Sequence, residues 1–282
     1  MRLLHGKALA EKLHERSRER SKALQARGTA PRLAAVSVGI DPAANTYLQR
    51  LIGRGKNLDV AVDDVALSGD VSERQLITAL ERLGADARIH GILLLTPLPG
   101  ELDEGHIVDH ILPAKDVEGM NPFNVGLLAD GRPQFVPSTA EAIVELLKFH
   151  GVVLRGARAT VIGRSTVVGR PAAYLLLKED ATVTIAHSQT EDVRAVTKDA
   201  TVVVVGVGRV GFLRGDMLSP GATVIDAGIN VTPAGVAGDV DADSVASVAG
   251  ALSPVPGGVG TVTTALLLRN VLTAAETQTA GG

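Results

Sequence analysis

Apolar, β-branched runs of five to eight residues recur along the chain, and helix-period patterns fill the intervals between them. That alternation predicts a parallel sheet whose strands are joined by crossover helices, an α/β fold. The expected strands are Leu33–Val38 (LAAVSV), Val60–Leu67 (VAVDDVAL), Ile89–Leu95 (IHGILLL), Arg158–Ile162 (RATVI), Thr182–Ala186 (TVTIA), Thr201–Val205 (TVVVV) and Thr223–Ala227 (TVIDA). Two helix starts carry a capping-box pattern, Ser72 with Gln75 and Ser138 with Glu141, in which a hydroxyl and a longer side chain each satisfy the other's backbone N–H. Residues 8–26 read as an exposed helix with a solvated, charged face. The segment after Gly260, TVTTALLLRNVLTAAE, reads as a final helix able to pack back on the first domain and make it discontinuous, and the tail ETQTAGG reads as frayed. Between the two strand sets, Pro113–Pro137 holds four Pro and three Gly with no clean period, which predicts a linker.

Composition narrows the function classes. The 282 residues suffice for about two domains, and 45% hydrophobic with 21% charged residues predicts a folded chain. Aromatics are 2%, with no Trp, so base-stacking platforms are not expected, and a net charge of −3 gives no general attraction for nucleic acid or an anionic membrane. The absence of cysteine excludes disulfides, thiolate metal sites and thiol nucleophiles. No apolar run approaches the roughly 18 residues of a membrane span, and a cytoplasmic protein is expected.

The strongest chemical signal is ATVIGRSTVVGRPAAYLLL. A strand ends at Ile162, Gly163 opens a turn, Gly169 follows, and Pro171 stands where a helix starts, an arrangement that can cradle a pyrophosphate against a helix N-terminus. The spacing is not G-x-G-x-x-G, so a tight strand-to-helix turn with no ligand is the alternative. The next strand ends in Ala186-His187-Ser188-Gln189-Thr190, with no acid before Glu191 to hold a ribose diol. Arg164 in the glycine turn and Ser188 after the second strand would instead receive a 2′-phosphate, which favours NADP over NAD. The later runs VVGVGRVG and IDAGIN again put glycines at strand ends, and PVPGGVG precedes the final helix, so a dinucleotide cleft is the simplest account. His106 and His110 are spaced i, i+4 in EGHIVDH with Asp109 beside them; two aligned ligands do not make a metal site, and none is expected.

Several ordered blocks together resemble the methylenetetrahydrofolate dehydrogenase/cyclohydrolase family: LHGKALA, VGIDPAANTYL, HGILLLTPLP, KDVEGMNPFNVGLL, VIGRSTVVGRPAAYLLL, ATVTIAHSQT, GATVIDAGIN and SPVPGGVG. The resemblance implies an N-terminal α/β catalytic domain, residues 1–138 completed by a C-terminal helix at 262–282, and a Rossmann-like NADP-binding domain at 139–261 with a cleft between them. It also implies a homodimer and a tetrahydrofolate-type substrate. Its two reactions are hydride transfer from 5,10-methylenetetrahydrofolate to a nicotinamide and hydrolysis of the resulting methenyl cation. On the cofactor side Gly163, Arg164, Ser165, Gly169, His187, Ser188, Gly228, Ile229 and Asn230 all match.

The chemical side departs from the pattern. Tyr47 is in place, but the Lys expected four residues on is Leu51, and the Gln of the GILVQLPLP block is Leu95. Arg54 shares the helical face of Tyr47, yet a guanidinium stays charged and is a poor acid or base. The pterin-binding Asp corresponds to Glu118, one methylene longer. Ser138, Ala140 and Thr261 are lesser departures. The expectation is therefore an NADP-dependent dehydrogenase with Tyr47 and Glu118 at the substrate, an apolar pocket at Leu51 and Leu95, and weak or lost cyclohydrolase activity. The alternatives are a dehydrogenase for another cyclic aminal or imine, and a silent NADP- or folate-binding protein.

Overall fold

The computed structural model describes residues 1–39, 42–100, 102–233 and 235–280. Ile40 and Asp41 of the VGIDPAANTYL block, and the last two residues of ETQTAGG, lie outside the described residues. The chain forms two compact units.

The first unit comprises Met1–Glu11, Leu128–Arg132 and Pro137–Thr263. Its six strands are β1 (Arg2–Leu3), β5 (Arg158–Ile162), β6 (Thr182–Ala186), β7 (Val202–Val205), β8 (Thr223–Asp226) and β11 (Ala251–Leu252), in the order β1-β11-β8-β7-β5-β6. Every pairing is parallel, and the register sets Val161 beside Val204 and Val204 beside Ile225. The central run VVVV of β7 is buried throughout, as expected for a parallel strand covered on both faces, whereas the edge strand β6 is largely exposed. Its helices are α6 (Ser138–Phe149), α7 (Gly169–Lys178), α8 (Val193–Thr197) and α9 (Ala242–Val245), and the strands β9 (Asn230–Thr232) and β10 (Gly235–Ala237) pair antiparallel beside the sheet.

The second unit comprises Lys12–Leu127, Pro133–Val136 and the chain from Thr264 on. Its parallel sheet runs β3-β2-β4, from β2 (Arg32–Val38), β3 (Ala61–Leu67) and β4 (Gly91–Leu94). Its helices are α2 (Pro42–Lys56), α3 (Glu73–Ala85), α4 (Glu104–Val108) and α5 (Pro122–Ala129), with most of α1 (Lys7–Ala26) and α10 (Val259–Ala280). Alternate residues of β2 serve two cores, because successive side chains of a strand point to opposite faces. Leu33 and Ala35 pack with Leu93, Leu95 and the α10 residues Leu267, Leu268, Val271 and Leu272. Ala34 and Val36 pack with Leu76, Leu80, Ile92 and Ile107.

The expected strands occur within two residues of their predicted limits. Four short strands, β1, β9, β10 and β11, escaped the sequence pattern because two or three residues are too few to show a period. The capping box at Ser72 forms, with Gln75 N–H donating to Ser72 Oγ and Ser72 N–H donating to Gln75 Oε1 at 2.9 Å. The one expected at Ser138 does not: Pro137 takes the cap position, and Ser138 is already inside α6. The first helix is solvated on one side only, since Leu13, Ser17, Ser21 and Leu24 are buried and Arg20 forks onto Glu276 of α10 at 2.9 and 2.6 Å. The tail is helical through Ala280, with Gln278 Nε2 donating to the carbonyls of His90 and Ala114.

The chain passes between the two units within Pro113–Pro137, as expected of a linker, but the segment is ordered and holds α5. Val117 and Phe135 belong to the core of the second unit, and the turns between them are held by a buried side-chain network. Asp116, 1% exposed, accepts N–H groups from Met120 and Asn121 and from the Asn124 amide. Asn121 Nδ2 in turn donates to the carbonyls of Asp109 and Ile111. Among the described residues no helix is long and apolar enough to cross a membrane.

Asn270 joins α10 to this segment, its buried amide donating to the carbonyls of Val117 at 2.9 Å and Val136 at 3.4 Å. Truncation would leave two buried carbonyls unsatisfied, so Asn270→Ala is expected to destabilise by about 1–3 kcal/mol, read from the urea midpoint at unchanged slope.

Candidate functional site

In the first unit the C-terminal ends of β5, β6, β7 and β8 bring the glycine runs to one edge of the sheet, the edge at which open parallel sheets hold ligands. Gly163 follows β5 with φ +122°, in the region that favours glycine, and a Cβ there would overlap the carbonyl oxygen of Gly206 after β7. Gly169 opens α7, and a Cβ on it would overlap the carbonyl oxygen of Gly163. The backbone is therefore folded onto itself in a cradle that admits no side chain, which fits a phosphate-bearing ligand. Ser165 shapes the turn: its Oγ accepts the Val168 N–H at 3.2 Å and the Gly169 N–H at 3.4 Å, and its carbonyl accepts the Arg170 N–H at 3.1 Å. Arg164 and Ser165 are exposed at the turn, and Ser188 is exposed after β6, whose last residue Ala186 accepts the Gly163 N–H. His187 Nδ1 accepts the Gln189 N–H, a structural role within its loop. Ile229 is 66% exposed after β8.

Two residues that sequence reasoning missed stand behind these loops. Asp239 is fully buried and accepts the N–H groups of Val207, Gly208 and Arg209, and Asp226, 3% exposed, accepts those of Gly228, Asp239 and Val240. Burial holds the Asp226 carboxyl above its ordinary value, and the charge of Asp239 adds to that. An acid in a loop sequence such as GDVDAD carries no signal of its distant amide partners, which lie about 30 residues earlier for Asp239.

In the second unit α2 carries Tyr47 and Leu51 on one face, four residues apart. Leu51 is 0% exposed, and with Leu95 it belongs to the same apolar cluster as Leu48, Leu58, Val60, Leu93, Val117 and Phe135. Tyr47 packs against that cluster. Burial, and secondarily the nearby carboxylate of Glu118, push the Tyr47 phenol well above the ordinary tyrosine range. The structure thus gathers Tyr47, Glu118, Leu51 and Leu95 in one region. Leu95, which follows β4, also lines a cavity of about 180 Å³ with Ala44, Leu48, Asp64 and Pro97. Glu118 stands on the turn organised by Asp116. On α1, burial and secondarily the charges of Arg54 and Arg18 hold His14 below the ordinary histidine range.

The His106 and His110 pair is engaged by α3. His106 Nδ1 lies 2.7 Å from Glu73, which raises its basicity, and His110 Nδ1 lies 3.3 Å from Glu81. Among the described residues no group of three or more His, Asp or Glu is arranged to hold a metal.

Residues 4–118 match the family described as tetrahydrofolate dehydrogenase/cyclohydrolase, catalytic domain, and residues 137–279 match the same family's NAD(P)-binding domain. The bifunctional protein FolD of a Roseiflexus species is 47% identical over 280 residues, 99% of this chain and 97% of that protein. The crystal structure of the bifunctional FolD methylenetetrahydrofolate dehydrogenase/cyclohydrolase from Campylobacter jejuni superposes with a TM-score of 0.95 at 36% identity, covering 98% of this chain and 99% of that one. The FolD enzyme of Trypanosoma brucei, solved with NADP and an inhibitor, gives 0.93 at 33% identity, with 98% of each chain covered.

Two outcomes test this geometry. Gly169→Ala is expected to destabilise by about 1–3 kcal/mol through backbone overlap, whereas Gly53→Ala within α2, with open space around it, is expected to stabilise by about 0.5–1 kcal/mol; unfolding midpoints decide both. A phenol whose folded-state value is raised contributes stability that is present below about pH 10 and lost as pH rises past it. In an alkaline absorbance titration, Tyr47→Phe should leave the phenolate rise of the folded protein unchanged; a lost rise in the ordinary tyrosine range would contradict the burial.

Proposed function

As the chain belongs to the tetrahydrofolate dehydrogenase/cyclohydrolase family, we propose that it oxidises 5,10-methylenetetrahydrofolate to 5,10-methenyltetrahydrofolate with NADP, and that its cyclohydrolase activity is weak or lost. NADP, when bound, supplies the hydride acceptor. The cradle of Gly163, Ser165 and Gly169 takes the diphosphate, Arg164 and Ser188 receive the 2′-phosphate, and Ile229 gives the nicotinamide an apolar face. Residues 139–261 carry this function and residues 1–138 with helix 262–282 the catalytic one, except that Met1–Glu11, whose β1 joins the six-stranded sheet, and Leu128–Arg132 pack in the nucleotide unit. The same reading carries a homodimer at work in the cytoplasm, the dimer being open to sedimentation analysis.

In the catalytic domain Tyr47 orients the substrate as a neutral hydrogen-bonding group, and Glu118 holds the amino-pyrimidine edge of the pterin. Hydride transfer asks chiefly for alignment. Hydrolysis asks more: a water must be positioned and a proton taken from it. Tyr47, kept protonated, is no base at neutral pH. The observation that carries the proposal is that Leu51 and Leu95, at the positions of the family's Lys and Gln, lie in one apolar cluster against which Tyr47 packs. Neither side chain can exchange a proton or hold a water.

Purified protein mixed with 5,10-methylenetetrahydrofolate and NADP⁺ should form NADPH and methenyltetrahydrofolate in equal amounts, with the methenyl absorbance persisting. Formation of 10-formyltetrahydrofolate as fast as NADPH would overturn the loss of hydrolysis, and no NADPH despite nucleotide binding would overturn the substrate. Leu51→Lys combined with Leu95→Gln should gain hydrolysis, dehydrogenase turnover serving as the control for folding.

A further inference from the structure

The loop after β7, Gly206-Val207-Gly208-Arg209, adjoins the glycine turn so closely that the Gly206 carbonyl occupies the space a Cβ of Gly163 would need. By its composition this loop is a second candidate for binding phosphate through backbone N–H groups. Those groups are already engaged. Asp239 Oδ2 accepts the Val207 N–H at 2.6 Å and the Gly208 N–H at 2.9 Å, while Oδ1 accepts the Arg209 N–H at 2.8 Å and the Asn230 amide at 2.9 Å. Asp239 is itself fixed from behind: its own N–H donates to Asp226 Oδ1 at 3.0 Å, and the Asp226 N–H donates to Ser253 Oγ at 2.8 Å.

We propose that Asp239 is a positioning residue for the dinucleotide, which withdraws the amides of residues 207–209 from phosphate binding and so confines the diphosphate to the turn at 163–169. The proposal rests on the NADP reading above and deepens it. Two physical effects act together. Charge-assisted bonds from three successive N–H groups to a carboxylate are among the stronger hydrogen bonds of a protein, so a phosphate would have to displace a partner already in place. A buried carboxylate behind the loop also disfavours a second anion in front of it. The glycine turn has no such acid behind its cradle among the hydrogen bonds that shape it: Ser165, a neutral side chain, closes that turn. The division leaves the β7 loop as a rigid wall whose Gly206 carbonyl sets the depth of the slot at Gly163.

The test compares backbone hydrogen exchange of the wild-type protein with and without saturating NADP⁺, alongside nucleotide titration of Asp239→Asn. Amides 207–209 should be protected before nucleotide is added and change by less than about twofold on its addition, while residues 164–167 slow by about tenfold or more. Asp239→Asn, which frees amides 207–209 and loosens the wall at Gly163, should let those amides slow on NADP⁺ addition as they do not in the wild type, and should raise Kd and KM for NADP⁺ by about tenfold with kcat within about twofold. Amides 207–209 that exchange freely without nucleotide and slow when it binds would overturn the proposal, as would a variant that loses kcat at unchanged KM and Kd. The exchange data on the wild type decide the matter if the variant fails to fold. Wild-type protein that binds no NADP⁺ would instead overturn the reading on which the proposal rests, an outcome distinct from binding without the predicted pattern.

Discussion

A carboxylate withdrawn from water must be given hydrogen-bond donors, and in this chain the donors are largely backbone amides of loops at the candidate sites. Asp239 collects three successive N–H groups after β7, and Asp226 collects those that return the chain from the β9–β10 pair. Asp116 does the same in the other unit, fixing the turn from which Glu118 projects; burial nevertheless holds its carboxyl above the ordinary range. Each acid converts a stretch of glycine-rich chain, which has every conformational freedom when unfolded, into a single shape. The bonds each acid collects offset part of the cost of desolvating it, and removing either side alone would leave the other uncompensated.

This arrangement explains what could be read from the sequence and what could not. The parallel strands were legible because a strand covered on both faces is nearly all apolar, as in the TVVVV and GILLL runs, and no helix period competes with such a run. The capping box at Ser72 was legible because its partners are three residues apart. The same local pattern at Ser138 misled, since Pro137 sets the backbone entry into α6 and takes the cap position. Pro113–Pro137 misled in part, and for a deeper reason. Its Pro and Gly residues do mark turns, but the turns are stitched by Asp116, Asn121 and Asn124 and packed through Val117 and Phe135, and only tertiary contacts distinguish a stitched turn from a linker.

The candidate site divides along the same line. Gly163, Gly169 and Arg164 were visible because a strand, a glycine turn and a helix start follow one another directly. Asp239 was not, because its partners are about 30 residues away and an acid in a polar loop looks like any solvated charge. Tyr47 and Leu51 were visible as a pair four residues apart. What the sequence did not convey is how thoroughly Leu51 is enclosed: it is a core residue, 0% exposed, in a cluster that also holds Leu267, Leu268 and Val271 of α10.

That enclosure bears on how the two leucines are related. A lone ammonium at position 51 would sit among Leu48, Leu58, Val60, Leu93 and Phe135, where desolvation costs several kcal/mol unless a polar partner is at hand. Position 95, in the same cluster, is also Leu. Replacing one polar member alone would strand the other, a penalty of about 1–3 kcal/mol for an unsatisfied amide and more for a charge. Replacing both yields an apolar cluster that packs as an ordinary core, often no less stable than the pair it succeeds. The two leucines are thus best understood together, as one change from a polar to an apolar wall. A hydride transfer asks for alignment and no base, so an apolar wall leaves its requirements untouched, whereas hydrolysis needs a group that can exchange a proton, which a leucine at position 51 or 95 cannot supply.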